Sequence, residues 1–303
     1  MGILGLGGGN ASIQLLVDRQ DVASGGTVQA TVRIAGGRKD TQIDEGRLRL
    51  VCENEYQWRE DTTVYSSSSS ASGTSTSTQT RTDTDRKVIE EQEFLPAGAI
   101  AADTPSEHTL TITIPADWTP SAEGKITRVR WKLEATLARQ RARDISDEVP
   151  IEVLSTADPA WVEPAEEVDS HGECDLAFTL EKRAFGASEP IEGTLVLTPS
   201  AECKVNEVRV ELEREERVPR GKGNEERVTE GESVLDGAVE LSPGAPREYP
   251  FRLEVPPDPV ASLLTARSTV RWRLKGIGSR RMRRDYNVTQ ELLVYSAPGA
   301  HLG

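Results

Sequence analysis

Hydrophobic and polar residues alternate along much of this chain with the period of two that is typical of β-strands. From Val129 to Leu137 every second side chain is apolar, and the residues between them are charged or polar. The same alternation recurs at residues 13–17, 28–34, 48–52, 110–114, 178–180, 191–197 and 208–212. Each such strand presents one buried face and one hydrated face. Because no segment carries a long amphipathic helical pattern, the sequence predicts an all-β protein.

The chain also repeats itself at a distance of 141 residues. Residues 107–155 align without a gap on residues 248–296, which places Trp131 opposite Trp272 (272 − 131 = 141). A gapless register of this length indicates a duplicated domain. Each half contains about seven predicted short strands separated by turn signals, a spacing that favours β-sandwiches. We therefore predict two tandem antiparallel β-sandwiches, with both tryptophans at equivalent positions in their cores.

The predicted domains are an N-terminal sandwich at residues 1–155, a linker at 156–172 and a C-terminal sandwich at 173–303. The linker carries Pro159, Pro164 and several acidic residues without alternation. A second irregular tract, Ser66–Gln79, consists almost entirely of serine and threonine. Such a tract has too little apolar surface to offset its ordering entropy, so it is predicted to be a mobile hairpin tip or loop. A flexible spacer is the favoured interpretation, and a phosphorylatable regulatory segment is the alternative.

Several motifs resemble those of the arrestin fold. They are Gly25–Val28 after the first strand, Ile114-Pro115 and Pro120-Ser121 before Arg130–Leu133, and Tyr249–Pro256 before Trp272. The resemblance covers nearly the whole chain and is closest in character to the bacterial sporulation-control, arrestin-like proteins. It implies a scaffold or adaptor that regulates other proteins rather than a catalyst. The sequence departs from animal arrestins in lacking a P-P-x-Y motif near the C-terminus, which speaks against an endocytic role.

Composition narrows the class of protein further. The chain has 303 residues, 28% of them charged, with a net charge of −14, a pI near 4.9 and a mean hydropathy of −0.48. Its apolar runs are too short to cross a bilayer, and Met1–Leu6 lacks the basic region of a signal peptide. Three cysteines without a C-x-x-C pair suit a reducing compartment. We therefore expect a soluble cytoplasmic protein whose negative field disfavours nucleic acid as a partner.

The sequence offers little chemistry for catalysis. His108, His171 and His301 are its only histidines, and no cysteine stands beside them at a metal-ligand spacing. Neighbouring acidic residues along one predicted strand are interpreted as a solvated face rather than as paired catalytic carboxylates: Glu211, Glu213, Glu215 and Glu216. We accordingly predict no catalytic site, no metal site and no cofactor.

Two clusters of arginines stand out against the acidic background, at the hairpin that joins the last two strands of each repeat. They are Arg139, Arg141 and Arg143 in the first repeat, and Arg280, Arg281, Arg283 and Arg284 in the second. Such arginine tips create a local positive potential that an anionic partner could recognise. The plainer interpretation is that they serve solubility and the protection of sheet edges.

Two functional hypotheses follow from these observations. The first is a cytoplasmic regulatory adaptor that binds a protein partner through sheet edges and loops. The alternative is a sensor of an anionic ligand or a membrane surface, contacted peripherally through the arginine tips. Salt distinguishes them, because screening weakens the binding of a sensor much more than that of an apolar or edge-strand interface.

Overall fold

The computed structural model describes residues 11–68, 71–155, 166–169 and 172–298, without the side chains of residues 63–68, 71–75, 166–169 and 298. These residues form β-strands, turns and bends, with no helix among them, which confirms the predicted all-β class. Met1–Leu6, His171 and His301 lie outside the described residues, as does most of the predicted linker.

The first half of the chain contributes strands whose positions agree with the alternating segments of the sequence. They are β1 (Ser12–Val17), β2 (Asp21–Ala23), β3 (Thr27–Ala35), β4 (Thr41–Ile43), β5 (Glu45–Ser68), β6 (Ala71–Leu95), β7 (Gly98–Ile100), β8 (Pro105–Thr113), β9 (Ala122–Glu123), β10 (Thr127–Ala138) and β11 (Ile145–Leu154).

The second half contributes a corresponding series after one additional short strand. These strands are β12 (Glu166–Asp169), β13 (Cys174–Leu180), β14 (Ala184–Ala187), β15 (Pro190–Pro199), β16 (Cys203–Val205), β17 (Glu207–Val218), β18 (Asn224–Asp236), β19 (Val239–Leu241), β20 (Arg247–Glu254), β21 (Leu263–Leu264), β22 (Thr269–Ser279) and β23 (Tyr286–Pro298).

The strand pairing is the same in the two halves. A three-stranded sheet has the order β1-β3-β8 in the first half and β13-β15-β20 in the second. A larger sheet has the order β2-β11-β10-β5-β6 in the first half, and its counterpart continues β23-β22-β17-β18. The small pairs β4-β7 and β16-β19 also correspond, and β2 and β14 run parallel to β11 and β23. This repetition of whole sheets supports the duplication inferred from the sequence and agrees with tandem β-sandwiches.

The tryptophans of the repeat occupy equivalent core positions, as expected. Trp131 is 1% exposed on β10, and Trp272 is 0% exposed on β22. Each indole N–H donates to a backbone carbonyl, that of Thr119 at 3.1 Å and that of Val260 at 2.9 Å. These two carbonyls are again 141 residues apart, so the hydrogen bond is duplicated with the ring. Cys52 is also a core residue, and burial raises the pKa of its thiol to about 12.

The chain divides into two compact units. The first comprises residues 1–55, 84–121 and 129–154, and the second comprises residues 56–83, 122–128 and 155–303. The second unit is therefore discontinuous in sequence, because it includes the outer part of the β5–β6 hairpin and the short segment at 122–128. The domain limits expected from the sequence, 1–155 and 173–303, stay a prediction.

Two segments expected to be irregular contain regular backbone. Within the Ser66–Gln79 tract, residues 66–68 end β5 and residues 71–79 begin β6, so of the two predicted forms, hairpin tip or loop, these residues form the hairpin. Its place at the end of a hairpin is correct, because β5 and β6 are neighbours in one sheet. Threonine-rich sequence suits a strand, and cross-strand backbone hydrogen bonds need no apolar core. Within the predicted linker, Glu166–Asp169 form β12, which pairs antiparallel with β23.

Candidate functional site

The two arginine tips share one turn structure. The first lies between β10 and β11, and the second lies between β22 and β23. At the start of each turn a backbone N–H donates to an aspartate side chain five residues later, from Arg139 to Asp144 at 2.9 Å and from Arg280 to Asp285 at 2.7 Å. The aspartate of each repeat thus fixes the turn that carries the arginines.

Arg280 differs from the other tip arginines because its side chain is largely buried. Its guanidinium group lies 4.4 Å from the centre of the Tyr286 ring and donates to Glu173 Oε2 at 2.9 Å. The Tyr286 hydroxyl donates to the same oxygen at 2.8 Å. This hydrogen bond from Tyr286, aided by the charges of Arg280 and Arg283, holds the pKa of Glu173 below its ordinary value. Arg280 therefore stabilises the base of its turn.

The first tip uses its leading arginine in a similar way. The Arg139 side chain donates to the backbone carbonyl of Arg143, which ties the two ends of the turn together. Arg141 and Arg143 are exposed, as are Arg281, Arg283 and Arg284 in the second tip. The predicted arginine clusters therefore divide into structural members at the base of each turn and exposed members at its end.

The second tip borders a concavity of about 640 Å³. Arg280, Arg281 and Arg283 line it together with Lys204, and the acidic residues Glu173, Glu202 and Glu240 line it as well. Four cations and three carboxylates make this surface mixed in charge. Such a surface would suit a partner that carries both signs of charge better than a simple anion.

The structural role of Arg280 can be tested against its exposed neighbour. Replacing Arg280 by glutamine should lower the free energy of unfolding by about 1–2 kcal/mol, because a largely desolvated cation–π contact is lost. Arg281→Gln removes the same charge from the same turn and should change the free energy of unfolding by less than about 0.5 kcal/mol. Urea unfolding of both variants checks this. Equal stability of the two variants would contradict a structural role for Arg280.

The acidic run on β17 is buried, so the interpretation as a solvated face is wrong for most of it. Glu213, Arg214, Glu215 and Glu216 are consecutive, and each is at most 8% exposed. β17 lies between β18 and β22 in the sheet, and charged side chains of both strands lie against those of β17. Burial of charge is tolerated because each group has a partner of opposite sign.

Most of these partners come from the two neighbouring strands. Lys275 donates to Glu213 at 2.6 Å, and Arg273 makes two hydrogen bonds to Glu215 at 2.7 and 3.3 Å. Arg214 donates to Glu230 on β18 at 2.7 Å. In the sequence, the alternating cations of β22 are the signal for these ion pairs. The sequence alone does not show which strands are neighbours.

Glu216 is the most buried member of this run, with 0% exposure. Its carboxylate accepts the backbone N–H of Lys125 at 3.0 Å and that of Ile126 at 2.9 Å, and it also pairs with Arg214. A Cβ atom added at Gly124 would lie 2.5 Å from Glu216 Oε2, so this position has no space for a side chain. Glu216 therefore anchors the segment at 122–128 to β17 within the second unit.

A match with a protein-family model decides where this fold belongs. Residues 3–162, slightly more than half of the chain, match the model described as "Spo0M: SpoOM protein". The chain belongs to the Spo0M family. Spo0M is a sporulation-control protein with an arrestin-like fold, so the resemblance seen in the motifs is confirmed. No curated protein matches the chain.

No group of three or more histidine, cysteine, aspartate or glutamate side chains in the described part of this Spo0M-family chain could hold a metal ion. Nor does any helix there have the length and hydropathy needed to span a membrane.

An aromatic cluster in the second unit could not be predicted from the sequence. The guanidinium group of Arg220 lies 4.3 Å from the ring centre of Trp58 and donates to the Tyr56 hydroxyl at 2.9 Å. Asp83 accepts hydrogen bonds from both Arg220 and Trp58 Nε1. These contacts of Arg220 and Asp83 join β5 and β6 to the turn after β17. Tyr56 and Trp58 are two residues apart on one strand, but their cation lies more than 160 positions later in the chain.

Proposed function

We propose that this chain is a non-catalytic regulatory adaptor of the cytoplasm that binds a protein partner in sporulation control. Its membership of a sporulation-control family supports the process. The observation that carries the adaptor role is β6, a strand of 25 residues at the end of its sheet. Most of its side chains from residue 76 to residue 88 are exposed.

An exposed edge strand is a ready template for a partner. Its outward N–H and C=O groups can pair with an extended segment of another protein, and this β-augmentation provides affinity without a deep pocket. Val88 is one of the few large apolar side chains that the described residues leave exposed, at 43%, and it lies on β6. It would supply an apolar contact within an otherwise polar edge.

A matched pair of variants tests this function. Val88→Lys places a charge on the β6 edge, where lysine is known to discourage strand pairing. Val234→Lys makes the same change on β18, the edge strand of the other large sheet, where Val234 is 57% exposed. Affinity capture from sporulating cells of the native host should recover one partner with the wild type and with Val234→Lys, but not with Val88→Lys. Recovery of the same partner with Val88→Lys would overturn the proposal.

The alternative function, sensing of an anionic ligand or membrane surface, is favoured by the arginines exposed at the same turn of both repeats. The capture experiment separates the two functions when it is repeated at a higher salt concentration. A β-augmented partner should be retained, because backbone pairing is weakly screened. A partner held by Arg141, Arg143, Arg281 and Arg283 should be lost as ionic strength rises.

A further inference from the structure

A small concavity in the second unit carries cations that the functions above do not use. It has a volume of about 380 Å³ and lies beside the turn between β17 and β18. Arg59 on β5, Arg217 at the end of β17 and Lys222 in the turn line it, with Asn224 and Glu225 from the start of β18. Three cations against one carboxylate form an unusual surface in a protein of net charge −14.

The carboxylates around this concavity are already engaged. Glu225 pairs with Arg227 at 2.7 Å, and Glu226 pairs with Lys125 at 2.7 Å. Asp61 pairs with Lys222. Within the part of the chain that the structure describes, neither Arg59 nor Arg217 has an ion pair or a side-chain hydrogen bond. Two guanidinium groups therefore line the concavity without a carboxylate in direct contact, although the charge of Arg59 helps to lower the pKa of Glu226.

The buried side chain of Asn224 lacks one hydrogen-bond donor. Its side chain is 6% exposed, and its Nδ2 donates to the backbone carbonyl of Gln57 at 3.2 Å. Its Oδ1 is buried and accepts no hydrogen bond from any residue that the structure describes. A buried carbonyl oxygen without a donor costs free energy, so a ligand that brings an N–H or O–H group would be favoured here.

The backbone that frames the concavity is fixed. Gly221 and Gly223 have φ angles of 64° and 75°, which favour glycine. The Lys222 N–H donates to the Arg59 carbonyl at 3.0 Å, and a Cβ atom at Gly221 would lie 2.4 Å from that same carbonyl oxygen. The turn is thus held against β5, and the cations are attached to a preorganised frame.

We infer that this concavity binds an acidic peptide segment of the partner protein. Arg59 and Arg217 receive its carboxylates, and Asn224 Oδ1 accepts a main-chain N–H from the same segment. This inference rests on the proposed adaptor function, since it names the chemistry of the partner. The small volume suits a short segment rather than a folded domain.

The orphaned acceptor favours a peptide over a phosphate group. At neutral pH a phosphomonoester is largely a dianion and offers mainly hydrogen-bond acceptors. Its oxygens would repel Asn224 Oδ1 while they attract the arginines. An acidic peptide satisfies both requirements, because each residue supplies a main-chain N–H beside its side-chain carboxylate.

Calorimetric titration of the purified full chain with a hexaglutamate peptide tests the inference. Arg59→Gln combined with Arg217→Gln should raise the dissociation constant by about tenfold or more, because two charge-assisted contacts are lost. The matched control, Arg247→Gln with Arg252→Gln, removes two exposed charges elsewhere in the same unit and should change the dissociation constant by less than about twofold. Thermal unfolding should be unchanged in both variants.

Two further ligands test the inference on the wild-type chain, without the variants. Hexaglutamate with an N-methylated main chain keeps its carboxylates but cannot donate to Asn224, so it should bind at least about fivefold more weakly. Inorganic phosphate should bind more weakly still. Equal affinity for the methylated peptide, tighter binding of phosphate or equal loss in the control variant would each overturn the inference.

The test also separates this inference from the function on which it rests. If hexaglutamate fails to bind while Val88→Lys abolishes capture of the partner, the adaptor function stands and the acidic peptide is rejected. If hexaglutamate binds as expected and Val88→Lys has no effect on capture, the edge-strand adaptor fails instead.

Discussion

Replacing either Trp131 or Trp272 by alanine should lower the free energy of unfolding by about 3–5 kcal/mol. Both indoles are almost completely buried, and each donates its N–H to a carbonyl in the preceding loop. Truncation leaves a cavity of indole size and removes the donor to a partly buried carbonyl, two costs that add. Urea unfolding followed by circular dichroism measures the change, with the slope of each transition examined for loss of two-state behaviour.

Trp118 provides the control for these variants. It packs edge-on against Trp131, with ring centres 6.1 Å apart, but it is only partly buried. Trp118→Ala should therefore destabilise the protein clearly less than Trp131→Ala. A loss below about 1 kcal/mol for either core tryptophan would show that its site collapses without cost, contrary to close packing of these cores.

The second large effect is expected at Glu216. Glu216→Ala should cost about 3–5 kcal/mol, because it leaves Arg214 with one acid partner fewer and two backbone N–H groups without an acceptor. Amide hydrogen exchange should rise at Lys125 and Ile126, whose N–H groups bind this carboxylate. That local readout distinguishes loss of the anchor from a general loss of stability.

Glu232→Ala is a suitable comparison for Glu216→Ala. Glu232 lies on β18 and is exposed, so its removal should change the free energy of unfolding by less than about 0.5 kcal/mol. Unchanged protection of Lys125 and Ile126 in Glu216→Ala would show that the segment at 122–128 does not depend on this carboxylate.

The strands could be predicted from the sequence where one face of a sheet is buried. The alternation from Val129 to Leu137 identified β10, and the repeat placed Trp272 by analogy with Trp131. The prediction succeeds because the alternation of side chains along a strand is a local property, which can be recognised without knowing the neighbouring strands. The duplicated half then provided a second example of the same pattern.

The buried charges could not be recognised in this way. Glu213 to Glu216 look solvated because a single sequence shows charge but not its partners, and the backbone N–H donors to Glu216 lie 90 and 91 residues earlier in the chain. The exposed arginines were located correctly, whereas the structural role of Arg280 depends on Glu173, 107 residues away. The pairing that makes a charge acceptable in a core is a property of the sheet rather than of the strand.

Because the second unit is discontinuous in sequence, residues that pack together in it are synthesised at different times. Tyr56 and Ile126 form a buried cluster with Val218, and Glu216 anchors Ile126 from a position 90 residues later. At a synthesis rate of about 5–20 residues per second, this gap corresponds to roughly 5–20 s between the emergence of Ile126 and that of its anchor. During that interval the growing chain presents apolar side chains whose neighbours have not been translated. The first segments of the second unit thus depend for their burial on residues that are translated later.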